Sequence, residues 1–420
     1  MQIKTYKFFL VFLTIVSFIN REFLPSGIDY VCFFILLFLF VLPVKKHIVD
    51  KESKNLMRTL LILILVFFVN YIISPYSPPF FLFLFGCFVT IMPFILCYFS
   101  HKLDVSVNGI ISLSDTIIKL ALVFGIIMIV ESLFFHVELD GYAFWGTNLF
   151  MGGYVTAYQS FGIMLCLSNY YYTKERKYIT YAVFLFIIIF FSMQLKAIAG
   201  CCIFGMIYII MLRSIKKSLK LALIVLTSII GIFVFSSSSI FSEKMSNYKE
   251  IYTSDEAVEG SARVVLYVKS FEMARDYFPL GTGQGTFGSI PANMTRSKVY
   301  DDYGMSGVYG LDFDGPVSFR MDTHWASLLG EQGVLGLLLY LFLFLLPVKW
   351  CKNIRNMPER EYRFVRYIVY STFLVLIIES FSLPLPNRLG FMFIYAGLCS
   401  LITNNKFIQH INNQYEDSVN

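Results

Sequence analysis

Charge is scarce in this sequence, although a soluble protein needs charged residues on its surface. Only 15% of the 420 residues are Asp, Glu, Lys or Arg, whereas 57% are hydrophobic and 45 are phenylalanine. The mean hydropathy is +0.67. A soluble protein of this length cannot bury so much apolar surface. The composition therefore excludes a water-soluble globular protein and predicts a polytopic membrane protein.

Cysteines are missing from the long polar segment, and familiar nucleotide-binding and metal-binding motifs are missing from the whole sequence. None of the eight cysteines lies in the one long polar segment, 241–325, which disfavours a disulfide framework and a cysteine-based zinc site. The chain has no Walker phosphate loop, dinucleotide fingerprint or HExxH motif, so an ATP-driven pump and a zinc protease are disfavoured. We predict neither a metal nor a cofactor.

Long apolar runs make up most of what is present. A helix needs about 20 mostly apolar residues to cross the ~30 Å hydrocarbon core, which predicts an all-α fold of about 12 transmembrane helices, in a range of about 10 to 12. Nine spans fall in 1–240 and three in 326–403, separated by a large loop at 241–325 and followed by a polar tail at 404–420. The predicted spans are 5–20, 28–44, 56–73, 79–99, 116–135, 150–169, 178–194, 197–212, 219–240, 326–347, 364–383 and 387–403.

Lys and Arg are distributed unevenly between the predicted loops. With the N-terminus inside, the cytoplasmic segments hold 22 of the 34 basic residues, and the short outward loops hold three. Because short cytoplasmic loops collect Lys and Arg, both termini are predicted to be cytoplasmic and the loop at 241–325 to face outward. The basic stretches are typical of topology determinants that touch anionic lipid headgroups, and nothing indicates nucleic-acid binding.

Within the outward loop, residues 263–277 have helical periodicity. Apolar side chains recur there at i, i+3, i+4, i+7 and i+10, at Val264, Tyr267, Val268, Phe271 and Ala274. This predicts an amphipathic helix lying along the membrane surface and presenting Arg263 and Arg275. The helix is expected to stop at Phe278-Pro279, because the residue before a proline disfavours helical geometry.

A glycine-rich run follows, Leu280-Gly-Thr-Gly-Gln-Gly-Thr-Phe-Gly288. Gly281, Gly283 and Gly285 allow close backbone approach, and successive N–H groups can form an anion-binding nest; the alternative is a tight turn between two helices. The loop carries twelve acidic and eight basic residues, so an anionic ligand must be held by particular arginines, whose planar fork fits phosphate oxygens.

Four further polar residues stand on the outward side. Lys196 lies between two apolar runs and is either an interface anchor or a ligand contact. Glu379 is an intramembrane carboxylate, which is either functional or paired with nearby Arg388. His324, where the loop meets the next span, can exchange a proton near neutral pH, although a lone histidine is more often structural.

The order of these parts resembles the O-antigen ligase/polymerase family, which comprises bacterial Wzy-type polymerases and lipid A-core ligases. The motifs that carry the resemblance span residues 190–340. They are Met193-Gln-Leu-Lys196-Ala, Gly-Ser-Ala-Arg263, Tyr277-Phe-Pro-Leu-Gly-Thr-Gly-Gln-Gly-Thr-Phe287 and Thr323-His324-Trp-Ala-Ser-Leu-Leu-Gly-Glu331-Gln-Gly333-Val-Leu-Gly336.

The resemblance implies a fold similar to the GT-C glycosyltransferases and a metal-independent enzyme at the outer face of the inner membrane. Its donor would be a glycan on undecaprenyl pyrophosphate, with Arg263 holding the pyrophosphate and His324 acting as the general base. Lys196, Arg275, Glu379 and Arg388 would contact substrate, together with the three glycines. This chain has lysine at 196 where the family usually has arginine, and Trp325 where it commonly has asparagine.

We therefore expect a polymerase that joins lipid-linked oligosaccharide repeat units into O-antigen or capsular polysaccharide. Its partners would be lipid-linked donor and acceptor glycans, membrane lipid and a chain-length regulator protein. One alternative is a ligase that transfers the glycan to lipid A-core or another acceptor. The other is a polyisoprenoid-glycan flippase or secondary transporter, which is disfavoured because most spans carry no charge; the exceptions are Lys119, Glu131 and Glu379.

Overall fold

A computed structural model describes residues 3–18, 51–100, 106–134, 152–191, 195–211, 262–315, 318–351, 358–384, 386 and 388–400. All regular secondary structure within these ranges is helical. The helices are α1 (Ile3–Phe18), α2 (Lys51–Ile73), α3 (Phe80–Ser100), α4 (Val107–Phe134), α5 (Gly152–Thr173), α6 (Lys177–Phe191), α7 (Leu195–Met211), α8 (Ala262–Asp276), α9 (Ile290–Thr295), α10 (Val299–Asp302), α11 (His324–Trp350), α12 (Glu359–Glu379) and α13 (Leu389–Tyr395), which continues as a π-helix at Ala396–Ser400.

Ten of the twelve predicted spans coincide with helices, and the other two, 28–44 and 219–240, lie outside the described residues. Four helical stretches among the described residues are long and apolar enough to cross a membrane: Ser53–Ile73, Phe80–Phe99, Val107–Glu131 and His324–Trp350. The all-helical class and the apolar helices agree with a membrane protein. A total of about twelve spans, the GT-C-like fold and the cytoplasmic tail at 404–420 stay predictions.

The helices form a bundle in which α5 is central. This helix packs against α4, α6, α7 and α12. Between Tyr154 and Cys166 every residue of α5 is buried, which explains why a helix with no single apolar face is stable here: it meets protein on every side. Elsewhere in the bundle, α2 and α3 pack against each other, and α2 also packs on α11.

Helix α11 covers the span predicted at 326–347, but it is not continuous. It breaks at Gly333 (φ 61°, ψ −167°) into two arms, 324–332 and 334–350. In an unbroken helix, residues sixteen positions apart lie about 24 Å apart along the axis, yet His324 Nε2 and Tyr340 Oη are 3.1 Å apart. The rings of Trp325 and Phe344 also meet, with centroids 6.2 Å apart. The first arm therefore folds back against the second.

The described part of the loop at 241–325 has its own small core. Side chains from α8, α9, α10 and the first arm of α11 form it, among them Leu266, Met273, Phe287, Tyr300 and Ala326. The predicted helix at 263–277 is confirmed by α8, and its predicted position along the membrane surface stays a prediction. The structure buries Val265, Leu266, Ser270 and Met273, and leaves Val268 and Phe271 40% and 66% exposed. Apolar residues occur around most of this helix, so periodicity alone did not identify the packed face.

Candidate functional site

A cavity of about 300 Å³ lies where the first arm of α11 faces α3 and the glycine-rich run. Its wall joins segments far apart in sequence: α3, the start of α5, residues 284–291, residues 318–331 and the segment after α12. The polar and charged side chains in the wall are Thr90, Tyr154, Gln284, Ser289, Ser318, Asp322, His324, Ser327, Glu331 and Arg388.

The first arm of α11 lines the cavity with one helical face. His324, Ser327, Leu328 and Glu331 all border it. Their spacing of i, i+3, i+4 and i+7 places them along one side of an α-helix. The sequence thus encodes an imidazole and a carboxylate two turns apart on the same face, and the break at Gly333 turns that face inward.

His324 is 2% exposed and begins α11. Its backbone N–H donates to Ser380 O at 3.3 Å, so the start of the arm is fastened to the end of α12. Its ring nitrogen Nε2 pairs with Tyr340 Oη at 3.1 Å, and the ring lies edge-on to Trp325, with centroids 5.2 Å apart. Within the described ranges, the other ring nitrogen, Nδ1, has no hydrogen-bond partner, and the residue borders the cavity.

In this structure the glycine-rich run surrounds the carboxyl group of the chain's own Glu331. Phe287 N–H and Ser289 Oγ donate to Glu331 Oε1 at 3.0 and 2.5 Å. Gln284 Nε2 donates to Oε2 at 3.0 Å. Burying a carboxyl group costs free energy unless the group is hydrogen-bonded. Gln284, Phe287 and Ser289, which we call the clasp, supply these hydrogen bonds to a side chain that is only 2% exposed.

The predicted glycines have definite conformational roles in that clasp. Gly281, Gly283 and Gly285 all have positive φ, of 76°, 110° and 87°. Gly281 N–H donates to Tyr277 O at 3.0 Å and Gly283 N–H to Glu331 O at 2.9 Å, while Gly285 N–H faces the Glu331 carboxylate. The run is thus both the predicted nest and the alternative tight turn, and its N–H groups are engaged within the protein.

Asn70 of α2 and Gln332 form further hydrogen bonds around the clasp. Asn70 Nδ2 donates to Leu280 O at 2.5 Å and to Glu331 O at 3.0 Å. Gln332 Nε2 donates to Gln284 Oε1 at 2.9 Å. Two carbonyl oxygens beside the break have donors from outside the helix: Glu331 O accepts from Asn70 Nδ2 and Gly283 N–H, and Gly330 O accepts from Thr282 N–H. Such donors are the condition for a sharp interruption in a buried helix.

Arg263 and Arg275, the two arginines predicted on α8, lie in different places. Arg263 Nη2 contacts Asp322 Oδ2 at 2.8 Å, and Asp322 borders the cavity, so Arg263 stands at the cavity's edge. Its side chain is 47% exposed. Arg275, three turns further on, is 78% exposed, pairs with the adjacent Asp276 and is not part of the cavity wall.

Arg388 also borders the cavity, and its guanidinium carbon lies 4.6 Å from the ring centroid of Tyr154 in α5. Glu379 is 2% exposed at the end of α12 and is not in the cavity wall. Lys196 belongs to α7, but its side chain lies outside the described atoms, so its predicted role stays a prediction.

Tyr300 and Trp325, two aromatic residues near the site, form hydrogen bonds with backbone groups of the protein. Burial raises the pKa of the Tyr300 phenol, so it is neutral, and its oxygen accepts from Gly288 N–H at 3.1 Å. Trp325 Nε1 donates to Ile377 O at 3.3 Å. Both residues therefore support the walls of the site, and neither borders the cavity. No group of three or more His, Cys, Asp or Glu in the described ranges is arranged to hold a metal ion.

Sequence reasoning missed three residues of this site: Glu331, Asp322 and Tyr340. A signal existed for Glu331, which is a lone carboxylate within an apolar helix and therefore a functional candidate. Asp322 and Tyr340 gave no such signal, because an aspartate in a polar loop and a tyrosine in an apolar helix are ordinary.

Part of the site lies in a segment that is similar to a described protein family. Residues 180–341 match the family model for the O-antigen ligase domain, Wzy_C. The matched segment contains α8, the glycine-rich run, the first arm of α11 and Tyr340, which confirms the predicted resemblance to the O-antigen ligase/polymerase family. No curated protein matches the chain.

Proposed function

Since residues 180–341 carry an O-antigen ligase domain, we propose that this protein is a polymerase of lipid-linked oligosaccharide repeat units. It transfers a glycan from undecaprenyl pyrophosphate to a hydroxyl of another lipid-linked unit, at the periplasmic face of the bacterial inner membrane. The observation that carries the proposal is the cavity that joins His324 to two arginine positions, Arg263 at its edge and Arg388 in its wall.

The arginines suit the leaving group. As the bond between the sugar's anomeric carbon and the diphosphate oxygen breaks, negative charge accumulates on the phosphate oxygens. Fixed guanidinium groups stabilise that charge mainly in the transition state, which is how they accelerate the reaction. Arg263 and Arg388 approach the cavity from different elements, α8 and the segment after α12, so they would hold the diphosphate from two sides.

His324 suits the acceptor. The hydroxyl that attacks the anomeric carbon loses its proton as the new glycosidic bond forms, and a base within hydrogen-bond reach typically contributes about 10²–10⁴-fold. The side chain of His324 borders the cavity, and its Nδ1, which has no hydrogen-bond partner within the described ranges, would take that proton. The diphosphate leaves as an anion, and the imidazolium then returns its proton to water or to the departing phosphate.

The fold of α11 supports a reaction at membrane depth. Tyr340 is seven residues beyond the break at Gly333, which is about 10 Å along the second arm. His324 meets Tyr340 and so lies alongside the second arm, about 10 Å from the turn. If the second arm spans the bilayer as proposed, a lipid-borne diphosphate would reach this base without the whole substrate leaving the bilayer. Membrane lipid and a chain-length regulator are proposed as further partners.

The test is complementation of a strain that lacks its repeat-unit polymerase, with polysaccharide chain length read on a gel. Wild-type protein should restore a ladder of long chains. His324→Ala and Arg263→Ala should each abolish it while the protein still inserts normally. The matched control is Arg296→Ala, which removes another partly exposed loop arginine that is paired with an aspartate, Asp314, and should keep the ladder.

Other outcomes of these experiments would support one of the alternative functions, a ligase or a flippase. A single capped repeat unit without a ladder would mean that polymerisation still fails, and restoration of glycan to lipid A-core in a ligase-deficient strain would identify a ligase. Movement of lipid-linked glycan across liposomes by purified protein, without any glycosyl transfer, would identify a flippase. Wild-type chain lengths in the His324→Ala variant would show that His324 is not the general base.

A further inference from the structure

Tyr340 is the only hydrogen-bond partner of the His324 ring within the described ranges, and the sequence places the two residues sixteen positions apart. Their 3.1 Å contact exists only because α11 folds back at Gly333. Both side chains are buried, at 0% and 2% exposure. Water therefore does not compete for this hydrogen bond, and the direction of the imidazole depends on the phenol.

The phenol is itself held firmly. Its ring packs edge-on against Phe94 of α3, with centroids 5.0 Å apart, and stacks on Phe344 at 6.3 Å. Trp325 closes a third side at 6.4 Å. An aromatic ring packed on several faces has little rotational freedom, so the hydroxyl points at a fixed place.

A neutral imidazole has one N–H and one lone pair, and the hydrogen bond made by one nitrogen decides which of them the other presents. If Nε2–H donates to Tyr340 Oη, Nδ1 carries the lone pair and can accept a proton. If the phenol donated to Nε2 instead, Nδ1 would carry the hydrogen and could not act as a base.

We propose that Tyr340 is the positioning residue of the reaction: it accepts the Nε2 hydrogen of His324 and so keeps the Nδ1 lone pair directed at the acceptor hydroxyl. The inference rests on the proposed function. During transfer, Nδ1 takes the hydroxyl proton as the new C–O bond forms and the bond to the diphosphate breaks. The imidazolium keeps its Nε2–H···Oη hydrogen bond, so Tyr340 neither gains nor loses a proton.

The test is Tyr340→Phe, which keeps the packed ring and removes only the hydroxyl. Initial rates of glycan transfer are measured with purified protein and lipid-linked repeat units, per amount of monodisperse protein. We expect kcat to fall by about tenfold to hundredfold, within the range that base catalysis supplies, while KM changes little because Tyr340 does not touch substrate. Tyr395→Phe is the matched control, because it removes another buried hydroxyl that donates to Phe344 O at 2.6 Å.

A double variant separates positioning from general destabilisation. If Tyr340 acts through His324, then His324→Ala with Tyr340→Phe should be no slower than His324→Ala alone, because the positioned base is already gone. Equal kcat losses for Tyr340→Phe and Tyr395→Phe, or additive losses in the double variant, would overturn the positioning role. The proposed function fails separately, if wild-type protein transfers no glycan or if His324→Ala remains fully active.

Discussion

Gly281 and Gly333 touch backbone to backbone, and the contact fixes the turn on which the site is built. A Cβ added to Gly281 would lie 2.4 Å from Gly333 N, and one added to Gly333 would lie 2.5 Å from Gly281 N. Both glycines have positive φ. No side chain fits between the loop and the break in α11, so only glycine permits this approach.

Replacing either glycine by alanine should therefore disrupt the fold-back of α11. We expect Gly281→Ala and Gly333→Ala each to lower the unfolding temperature of the purified protein and to abolish glycan transfer. Gly304→Ala is the matched control, since Gly304 also has positive φ (67°) but has open space around an added Cβ. It should lose only the conformational cost of about 1–2 kcal/mol. Equal effects at all three positions would show that the close approach does not matter.

The clasp around Glu331 should contribute more to stability than to chemistry. Glu331→Ala removes the acceptor of Phe287 N–H and of the Ser289 hydroxyl, whereas Gln284 Nε2 keeps Thr90 Oγ1 as an acceptor. Each such donor costs about 1–3 kcal/mol, so we expect a loss of about 3 kcal/mol or more. Glu331→Gln keeps one acceptor oxygen and should lose less. Thermal unfolding in detergent measures both. Glu272→Ala, which removes a partly exposed surface partner of Lys269, should change stability by less than about 1 kcal/mol.

If Arg263 holds the diphosphate as proposed, Asp322 competes with the diphosphate for Arg263. Its ion pair is partly exposed, with side chains 47% and 26% accessible, and such pairs contribute about 0–1 kcal/mol. Asp322→Asn should therefore lower the KM for the donor by up to about fivefold, because the diphosphate no longer displaces a carboxylate. Initial rates at varied donor concentration measure this. A higher KM would instead mean that Asp322 orients Arg263 for substrate.

Arg388 and Arg275 were equal candidates by sequence, and the structure separates them. Arg388 borders the cavity over Tyr154, whereas Arg275 is 78% exposed outside the cavity wall. A charge-assisted hydrogen bond contributes about 1.5–3 kcal/mol, so Arg388→Ala should slow transfer by about tenfold to hundredfold. Arg275→Ala should stay near the wild-type rate. A slower rate for Arg275→Ala than for Arg388→Ala would show that the diphosphate does not bind in this cavity.

Several parts of the site could be predicted from local sequence. Periodicity predicted α8 within one residue at each end of the observed helix, and the glycines predicted an anion nest. Periodicity did not identify the face of α8 that packs on the loop core, because Val264, Val268 and Phe271 are as apolar as Val265, Leu266 and Met273, which are buried there. Which of two apolar faces is covered depends on the partner surface, and the sequence of one helix does not contain that information.

The sequence by itself determined that the chain is helical and apolar, that its polar residues gather in one loop, and that His324 opens the helix after it. These properties follow from residue type and spacing within one segment. Only the tertiary structure decided that Glu331 fills the glycine nest, that Arg388 and not Arg275 borders the cavity, and that Tyr340 reaches His324. Each of these depends on the direction in which α11 turns at Gly333, and that turn is held by hydrogen bonds from Asn70 and the loop at 280–287, which are remote in sequence.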